Sequence, residues 1–222
     1  ALAVTPNSAT SSPTTMPSSP QTTATQTEFT PQQVKNIQKI VHDYLINNPQ
    51  VLVEASQALQ KQAQEKQQQY AMQAIEKNKQ QLFNDPVSPV AGNPNGNVTL
   101  IEFFDYQCGH CKAMNKIIQS IVAKNKNLRV VLKELPIFGS NSQLAAKVAL
   151  AAAKQGKYYV FHDALLSADN PLTQQKVFQV AKKVGLNVTQ LKKDMKNPTI
   201  AQQLRANFKL AQALHLIGTP TF

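Results

Sequence analysis

Cys108 and Cys111 are the two cysteines of this 222-residue chain, and two residues separate them. A structural disulfide stabilises a protein mainly by constraining the unfolded chain, and the constraint grows with the length of the loop that the bond closes. A disulfide between these cysteines closes too short a loop for that role. A zinc site needs four ligands, and no second cysteine pair is available to complete one, so we expect no metal. The chemistry that remains for this pair is thiol-disulfide exchange.

The position of the pair along the chain favours redox chemistry. A short apolar run at 98–104 precedes the cysteines and an amphipathic pattern follows them, which places Cys108 at the N-terminus of a helix. The free backbone N–H groups and the helix dipole stabilise an anion there and lower the pKa of the thiol. His110 can add positive charge or a hydrogen bond. Cys111, one turn further in, is expected to be shielded from clients and to act as the resolving thiol.

The patterns around the cysteines predict a βαβ unit followed by helices. The run at 98–104 has the composition of a buried central strand, and a second apolar strand is predicted at 130–132. After Pro136 the pattern is helical, and the helices form one block rather than alternating with strands, so we expect an insertion at about 138–215. Residues 217–222 resemble a turn that enters another strand.

The first 96 residues have a different organisation. Residues 1–29 are almost wholly Ser, Thr, Pro, Ala and Gln, which predicts a disordered leader. Thr30-Pro31-Gln32-Gln33 carries the signals of a helix start, and two helices are predicted over 30–85. Each has one apolar stripe and cannot form a core alone, so we expect an arm that forms a homodimer, with packing on the following domain as the alternative. Residues 86–96 are rich in Pro, Gly and Asn and predict a linker.

Charge and hydropathy restrict the partners. The net charge of +11 is carried by residues 97–222, where Lys and Arg are scattered along the predicted helices without an Arg-rich stripe. This pattern is typical of a solvated surface and not of a nucleic-acid site, although a positive field also attracts acidic clients. No run approaches the roughly 18 to 20 apolar residues that span a bilayer. Ala1-Leu2-Ala3 has the form of a signal-peptide cleavage site, so export is expected.

The stretch from Leu100 to Cys111, LIEFFDYQCGHC, resembles the active-site strand and helix start of the DsbA family, which has a thioredoxin fold with a helical insertion. The resemblance covers roughly residues 97–222, since the motif, the insertion and a closing Gly-Thr-Pro occur in order. It implies an α/β (α+β) thioredoxin fold, a redox-active Cys108–Cys111 disulfide with no other cofactor, and a periplasmic location. With its helical arm, the chain is most similar to the dimeric DsbA-like proteins of intracellular bacterial pathogens.

The resemblance also implies roles for residues outside the cysteine motif. Glu102, six residues before Cys108, matches the acid that relays protons to and from the resolving thiol, and Lys133 on the second strand is expected to be its partner. Thr219-Pro220 matches the cis-proline loop that binds the backbone of a client as an added strand. The family continues past this loop with a strand and a closing helix, so we expect the C-terminal end of this chain to be missing.

Two details favour isomerase character. The dipeptide between the cysteines is Gly-His, as in eukaryotic protein disulfide isomerase, and Thr219 precedes Pro220, as in the bacterial isomerase DsbC. We therefore expect a homodimeric enzyme that forms and isomerises disulfides in unfolded or misfolded exported proteins, with a membrane partner that recharges or reduces the dithiol. Two alternatives stay open, a pure oxidase without isomerase activity and a non-catalytic surface or copper-binding module with the sulfurs as soft ligands.

Overall fold

The computed structural model describes residues 29–222 and contains two compact units, the first ending at Leu59 and the second covering Gln60–Phe222. The leader predicted at 1–29 lies outside the described residues except for Phe29. The predicted cleavage-site tripeptide at residues 1–3 also lies outside them. Among the described residues, no helix is long and apolar enough to span a membrane.

Helix α1 (Pro31–Asn47) begins where the sequence predicts it. The Thr30 hydroxyl accepts a hydrogen bond from the Gln33 backbone N–H at 3.3 Å, and the Gln33 side chain accepts one from the Thr30 N–H at 2.8 Å. This capping box satisfies two of the N–H groups that a helix start leaves free. The apolar stripe of α1 is between 40% and 67% exposed and consists of Val34, Ile37, Ile40, Val41 and Tyr44.

The second predicted helix is shorter than expected. Helix α2 (Gln50–Lys77) ends because Asn78 folds back on it, donating from both its backbone N–H and its side chain to the carbonyl of Ala74. A five-residue helix, α3 (Lys79–Phe83), follows. Its Leu82 is buried with Phe103 of the sheet. Residues 79–83 therefore belong to the core of the second unit and not to a separate arm that extends to residue 85.

The sheet has three strands, β1 (Val90–Gly92), β2 (Val98–Phe104) and β3 (Leu128–Glu134), in the order β1-β3-β2. Strands β2 and β3 are parallel and are connected by α4 (Gly109–Lys124), which confirms the predicted βαβ unit.

Strand β1 pairs antiparallel with β3 and lies inside the segment predicted as a linker. That prediction is wrong for residues 90–92, because Ala91 is buried against the sheet. Gly92 has a φ of +75°, and a Cβ there would collide with the carbonyl oxygen of Leu128. The Pro- and Gly-rich composition of the segment therefore conceals a short strand.

The helices after β3 form one block, as the sequence predicts. They are α5 (Ser140–Ala153), α6 (Tyr158–Leu166), α7 (Gln174–Lys183), α8 (Val188–Asp194) and α9 (Pro198–Ala213). After α9 the chain returns to the sheet, where Thr221 exchanges two backbone hydrogen bonds with Phe103, at 2.9 and 3.1 Å. The predicted strand entry at 217–222 is thus present as a single bridge on the free edge of β2.

Successive residues of β2 and β3 face two different cores. Phe104, Val130 and Leu132 lie in the larger core, which also contains Cys108, Cys111 and most of the buried residues of α5 to α8. Phe103 and Leu135 face the smaller core, together with residues of α3 and α9. The side of the sheet that a residue faces decides which of its neighbours it can contact.

Candidate active site

Cys108 is the N-cap residue of α4, so its sulfur lies at the open end of that helix. The Cys108 residue is 5% exposed, and its thiol donates to the carbonyl oxygen of Thr219 at 3.2 Å. Burial alone raises the pKa of this thiol. The backbone N–H groups of Cys111 and His110, together with the Cys111 side chain, outweigh burial and hold the Cys108 pKa below its ordinary value. The predicted position of Cys108 at the N-terminus of a helix and the predicted lowering of its pKa are thus both found in the structure, although the residue is almost wholly buried.

Cys111 has the opposite environment, three residues further along α4. It has no exposed surface, and burial raises its pKa to about 12, with the Cys108 sulfur adding to the rise and the Asp105 backbone N–H opposing it. Both cysteines are free thiols. The thiol at the helix end thus ionises more easily than an ordinary thiol, and the thiol one turn further in stays protonated.

Glu102 lies on β2 with its side chain on the face of the larger core. It is 2% exposed, and its Oε1 atom has no hydrogen-bond partner among the described residues. Burial without a partner disfavours the charged form of a carboxyl and raises the pKa of Glu102 to about 7. A carboxyl with this pKa can both give and accept a proton near neutral pH.

Lys133 does not contact Glu102, and the predicted pairing of these two residues is wrong. In the parallel register Lys133 lies opposite Phe103 and Glu102 opposite Leu132, so the two side chains leave opposite faces of the sheet. The Lys133 ammonium is fully buried and donates to the Gln81 carbonyl at 2.7 Å, to the Ser88 hydroxyl at 2.8 Å and to the Asp85 carboxylate at 3.0 Å. Lys133 thus holds α3 and the segment that follows it against the sheet through these hydrogen bonds.

Asp105 organises the loop that carries the cysteines, and sequence reasoning missed it. Its buried carboxylate accepts the backbone N–H groups of Gln107, Ile137 and Phe138 at 2.7, 2.7 and 3.0 Å and the Ser142 hydroxyl at 2.7 Å. These four bonds join the cysteine loop to the start of α5. The one available signal was an acidic residue placed directly after a buried strand.

Glu134, at the end of β3, is a second buried carboxyl that the sequence did not single out. It accepts the hydroxyls of Tyr158 and Tyr106 at 2.7 and 2.9 Å, and the Tyr106 hydroxyl also lies 3.1 Å from Nδ1 of His162. Burial raises the Glu134 pKa to about 8, aided by the charges of Asp105 and Glu102 and opposed by the two tyrosines. Burial also lowers the pKa of His162 to about 3, so this imidazole is neutral at neutral pH.

The insertion holds the cysteine motif from both sides. Before the motif, Gln107 accepts the Leu172 N–H at its side chain, at 3.0 Å, and the Asn170 amide at its carbonyl, at 2.9 Å. Within α4, the Lys112 ammonium donates to the carbonyls of Leu165 and Ala168 at the end of α6. The helical block therefore fixes the geometry of the redox pair as well as covering the sheet.

The remaining predicted site residues lie around the sulfur of Cys108. The peptide bond between Thr219 and Pro220 is cis, and the Thr219 carbonyl is the atom that contacts the thiol. His110 is exposed in the first turn of α4. Within residues 29–222, no group of three or more His, Cys, Asp or Glu side chains is arranged to hold a metal ion.

Comparisons with known proteins agree with this geometry. The family of DSBA-like thioredoxin domains matches residues 99–222, and the N-terminal domain of the copper resistance protein ScsC matches residues 33–66. A thioredoxin-like oxidoreductase from Silicibacter pomeroyi is 43% identical in sequence, with a TM-score of 0.63 over 64% of this chain and 83% of that chain. BcfH from Salmonella enterica Typhimurium is 31% identical, with a TM-score of 0.70 over 85% of this chain and 82% of that chain.

The curated relatives are more distant. Disulfide bond formation protein D of Bacillus subtilis is 27% identical over 165 residues, which cover 65% of this chain and 74% of that protein. The Na(+)/H(+) antiporter NhaA 3 of Salinispora tropica is 27% identical over 143 residues, which cover 62% of this chain and 22% of the antiporter. The chain thus spans under a quarter of the length of that relative, and ion transport is not assigned to it.

Proposed function

The chain belongs to the family of DSBA-like thioredoxin domains, which makes it a thiol-disulfide oxidoreductase, and we propose that it forms and isomerises disulfide bonds in exported proteins. The observation that carries this proposal is the contrast between the two thiols of α4. The pKa of Cys108 is lowered at the helix end, whereas the pKa of buried Cys111 is raised to about 12. A client therefore meets Cys108 first, and the Cys108–Cys111 disulfide is the only redox group that the reaction requires.

Oxidation of a client proceeds in two exchanges. A client thiolate attacks the Cys108 sulfur in the disulfide form of the protein, and the bond to Cys111 breaks as the mixed disulfide forms. Cys111 leaves as a thiolate and takes up a proton, for which buried Glu102 is our proposed donor. The second client thiolate then attacks the client sulfur of the mixed disulfide and releases Cys108. The client loses two electrons, and the protein gains them as a dithiol.

Isomerisation begins from the reduced protein and transfers no net electrons. The Cys108 thiolate attacks a client disulfide, and one client sulfur leaves as a thiolate. A different client thiolate then attacks the mixed disulfide, which forms a new client bond and returns Cys108 as a thiolate. If no client thiol arrives, Cys111 displaces the client. The Gly109-His110 dipeptide and Thr219 support this activity, since both match features of known isomerases.

The client backbone is expected to bind beside Thr219-Pro220. This loop lies at the free edge of β2, where Thr221 already pairs with Phe103, and the Thr219 carbonyl is 3.2 Å from the Cys108 sulfur. An extended client segment can add to such an edge through main-chain hydrogen bonds, which bind without reading the client sequence. A broad range of clients is therefore expected.

We also propose that α1 mediates a homodimer in the periplasm. Its five large apolar side chains are 40% to 67% exposed, and burying a side chain of this kind stabilises an interface by roughly 1.5–3 kcal/mol. Residues 33–66 match the N-terminal domain of ScsC, which is distinct from the thioredoxin domain, and this supports a separate function for the helical arm. A dimer presents two Cys108 sites to one misfolded client. A membrane redox partner is expected to reoxidise the cysteine pair after client oxidation, or to keep it reduced for isomerisation.

Refolding of scrambled ribonuclease tests the isomerase activity. The reduced protein should restore ribonuclease activity, Cys108→Ser should restore none, and Cys111→Ser should accumulate mixed disulfides because the resolving thiol is absent. Oxidation of a peptide dithiol by the disulfide form serves as the parallel assay. If the protein oxidised the dithiol but did not restore ribonuclease activity, it would be a pure oxidase without isomerase activity. If Cys108→Ser oxidised the dithiol at the wild-type rate, the redox role of the pair would be wrong and a non-catalytic module would remain.

A further inference from the structure

A groove with six cationic side chains crosses the helical insertion. It consists of a cavity of about 850 Å³ between α5, α7 and α8 and an adjoining cavity of about 530 Å³ between α5 and α9, which share Gln143 and Lys147. We name this surface the basic groove. Its cations are Lys147, Lys192, Lys193, Lys196, Arg205 and Lys209.

The charges of the basic groove are not neutralised within the described part of the chain. No Asp or Glu is among the residues that line either cavity. Outside α2 and α3, the ion pairs described in the second unit are Lys133 with Asp85 and Lys154 with Asp194. Neither pair includes a cation of the basic groove. Six like charges around a concave surface focus a positive potential and attract an anionic ligand.

The groove also has apolar walls, which determine the kind of anion that fits. Leu144, Phe178 and Met195 line the first cavity, and Leu204 and Phe208 line the second. A nucleic acid would use such aromatic rings for stacking with its bases. The Lys192 ammonium lies 5.3 Å from the Phe178 ring centre and occupies that ring with a cation–π contact. A polypeptide that carries both acidic and apolar side chains satisfies both features.

The basic groove reaches the segments that hold the cysteine loop. Ser140 lines the first cavity two residues after Phe138, whose N–H binds the Asp105 carboxylate. Gln174 lines the same cavity two residues after Leu172, which binds Gln107. Two residues span at most about 7 Å, so two lining residues of the cavity lie near groups that position Cys108.

We propose that the basic groove binds an acidic, partly apolar segment of the client polypeptide while a client cysteine reacts at Cys108. The inference rests on the proposed function and adds a class of client to it. Exported proteins with acidic segments near their cysteines would then be preferred, because the groove holds the chain while bonds exchange. The main-chain contacts at Thr219-Pro220 supply no such selection.

Binding of a cysteine-free peptide tests the groove without using the redox pair. The probe is a labelled twelve-residue peptide of alternating Glu and Leu, and its twin has Gln in place of Glu. Fluorescence anisotropy with the full chain should show binding of the acidic peptide only. The triple variant Lys192→Gln/Lys193→Gln/Lys196→Gln should weaken this binding about tenfold, the sum of three exposed ion pairs. The matched control is Lys116→Gln/Lys124→Gln/Lys126→Gln, which removes the same charge from exposed residues outside the cavities.

Equal weakening by both triple variants would show an effect of net charge alone and overturn the proposal, as would equal binding of the Gln peptide. Tighter binding of a DNA oligomer of equal charge would also overturn it. Oxidation of a neutral peptide dithiol should be unchanged in both variants. If the wild-type protein bound the acidic peptide but did not oxidise the neutral dithiol, the proposed function would be contradicted and the groove assignment would stand, so the two failures are distinguishable.

Discussion

Replacing Glu102 by Gln should stabilise the reduced protein at alkaline pH and leave its stability at acidic pH almost unchanged. The side chain is 2% exposed, and burial raises its pKa from the ordinary 4.5 to about 7. The folded protein therefore retains a proton that the unfolded chain releases between these values. The stability that comes from the neutral carboxyl is complete below pH 4.5 and is lost as the pH rises through 7.

The size of the effect follows from the shift in pKa. A change of one pKa unit corresponds to 1.36 kcal/mol, so the shift of Glu102 corresponds to about 3 kcal/mol, all of it lost above pH 7. Gln has nearly the same shape as Glu and carries no charge to desolvate. At pH 8, Glu102→Gln should therefore raise the free energy of unfolding by about 3 kcal/mol relative to the wild type, and at pH 4 the two proteins should unfold alike.

Urea denaturation at pH 4 and pH 8, with reductant present so that one redox state is measured, is the assay. The control is Glu65→Gln, which removes an exposed carboxylate from α2 and should give no difference that depends on pH. A change in stability of the same size at both pH values would mean that Glu102 is not held as a neutral group. The burial argument for its role in proton transfer would then be refuted.

Three further predictions concern residues that position the site or the arm. Asp105→Asn places an amide against the N–H groups of Ile137 and Phe138 and should lower the free energy of unfolding by about 2 kcal/mol. Wild-type stability of this variant in urea would contradict the hydrogen bonds described for Asp105. Lys133→Met should destabilise the fold by about 3 kcal/mol and leave the alkylation rate of Cys108 unchanged. An altered alkylation rate would show that Lys133 does affect the redox site. Ile37→Glu/Val41→Glu should sediment as a monomer and exposed Gln38→Glu as a dimer; equal sedimentation of the two variants would exclude α1 as the interface.

Local patterns were sufficient to predict the βαβ unit and the helical block. Their apolar periods and the Thr30 capping signals act over a few residues, so they can be recognised without a structure. The position of Cys108 at the start of α4 followed from the same information, because it depends only on where a strand ends and a helix begins.

Contacts between distant segments explain what the sequence could not supply. Lys133 faces Asp85 instead of Glu102 because the register of β2 against β3 decides its side of the sheet. Asp105 accepts hydrogen bonds from Ile137 and Phe138, which are more than thirty residues away. Glu134 accepts the hydroxyls of Tyr106 and Tyr158, which come from two separate parts of the chain. Strand β1 is stabilised by its pairing with β3 and not by its own composition. Each of these features depends on the assembled fold.

The central claim is that the two thiols of α4 differ in acidity, and titration of the reduced protein by ultraviolet absorbance measures this directly. One thiolate, removed by Cys108→Ser, should form below the ordinary thiol pKa, and the second should form only toward pH 12. Two thiols that titrate together near pH 8.5 would contradict the account.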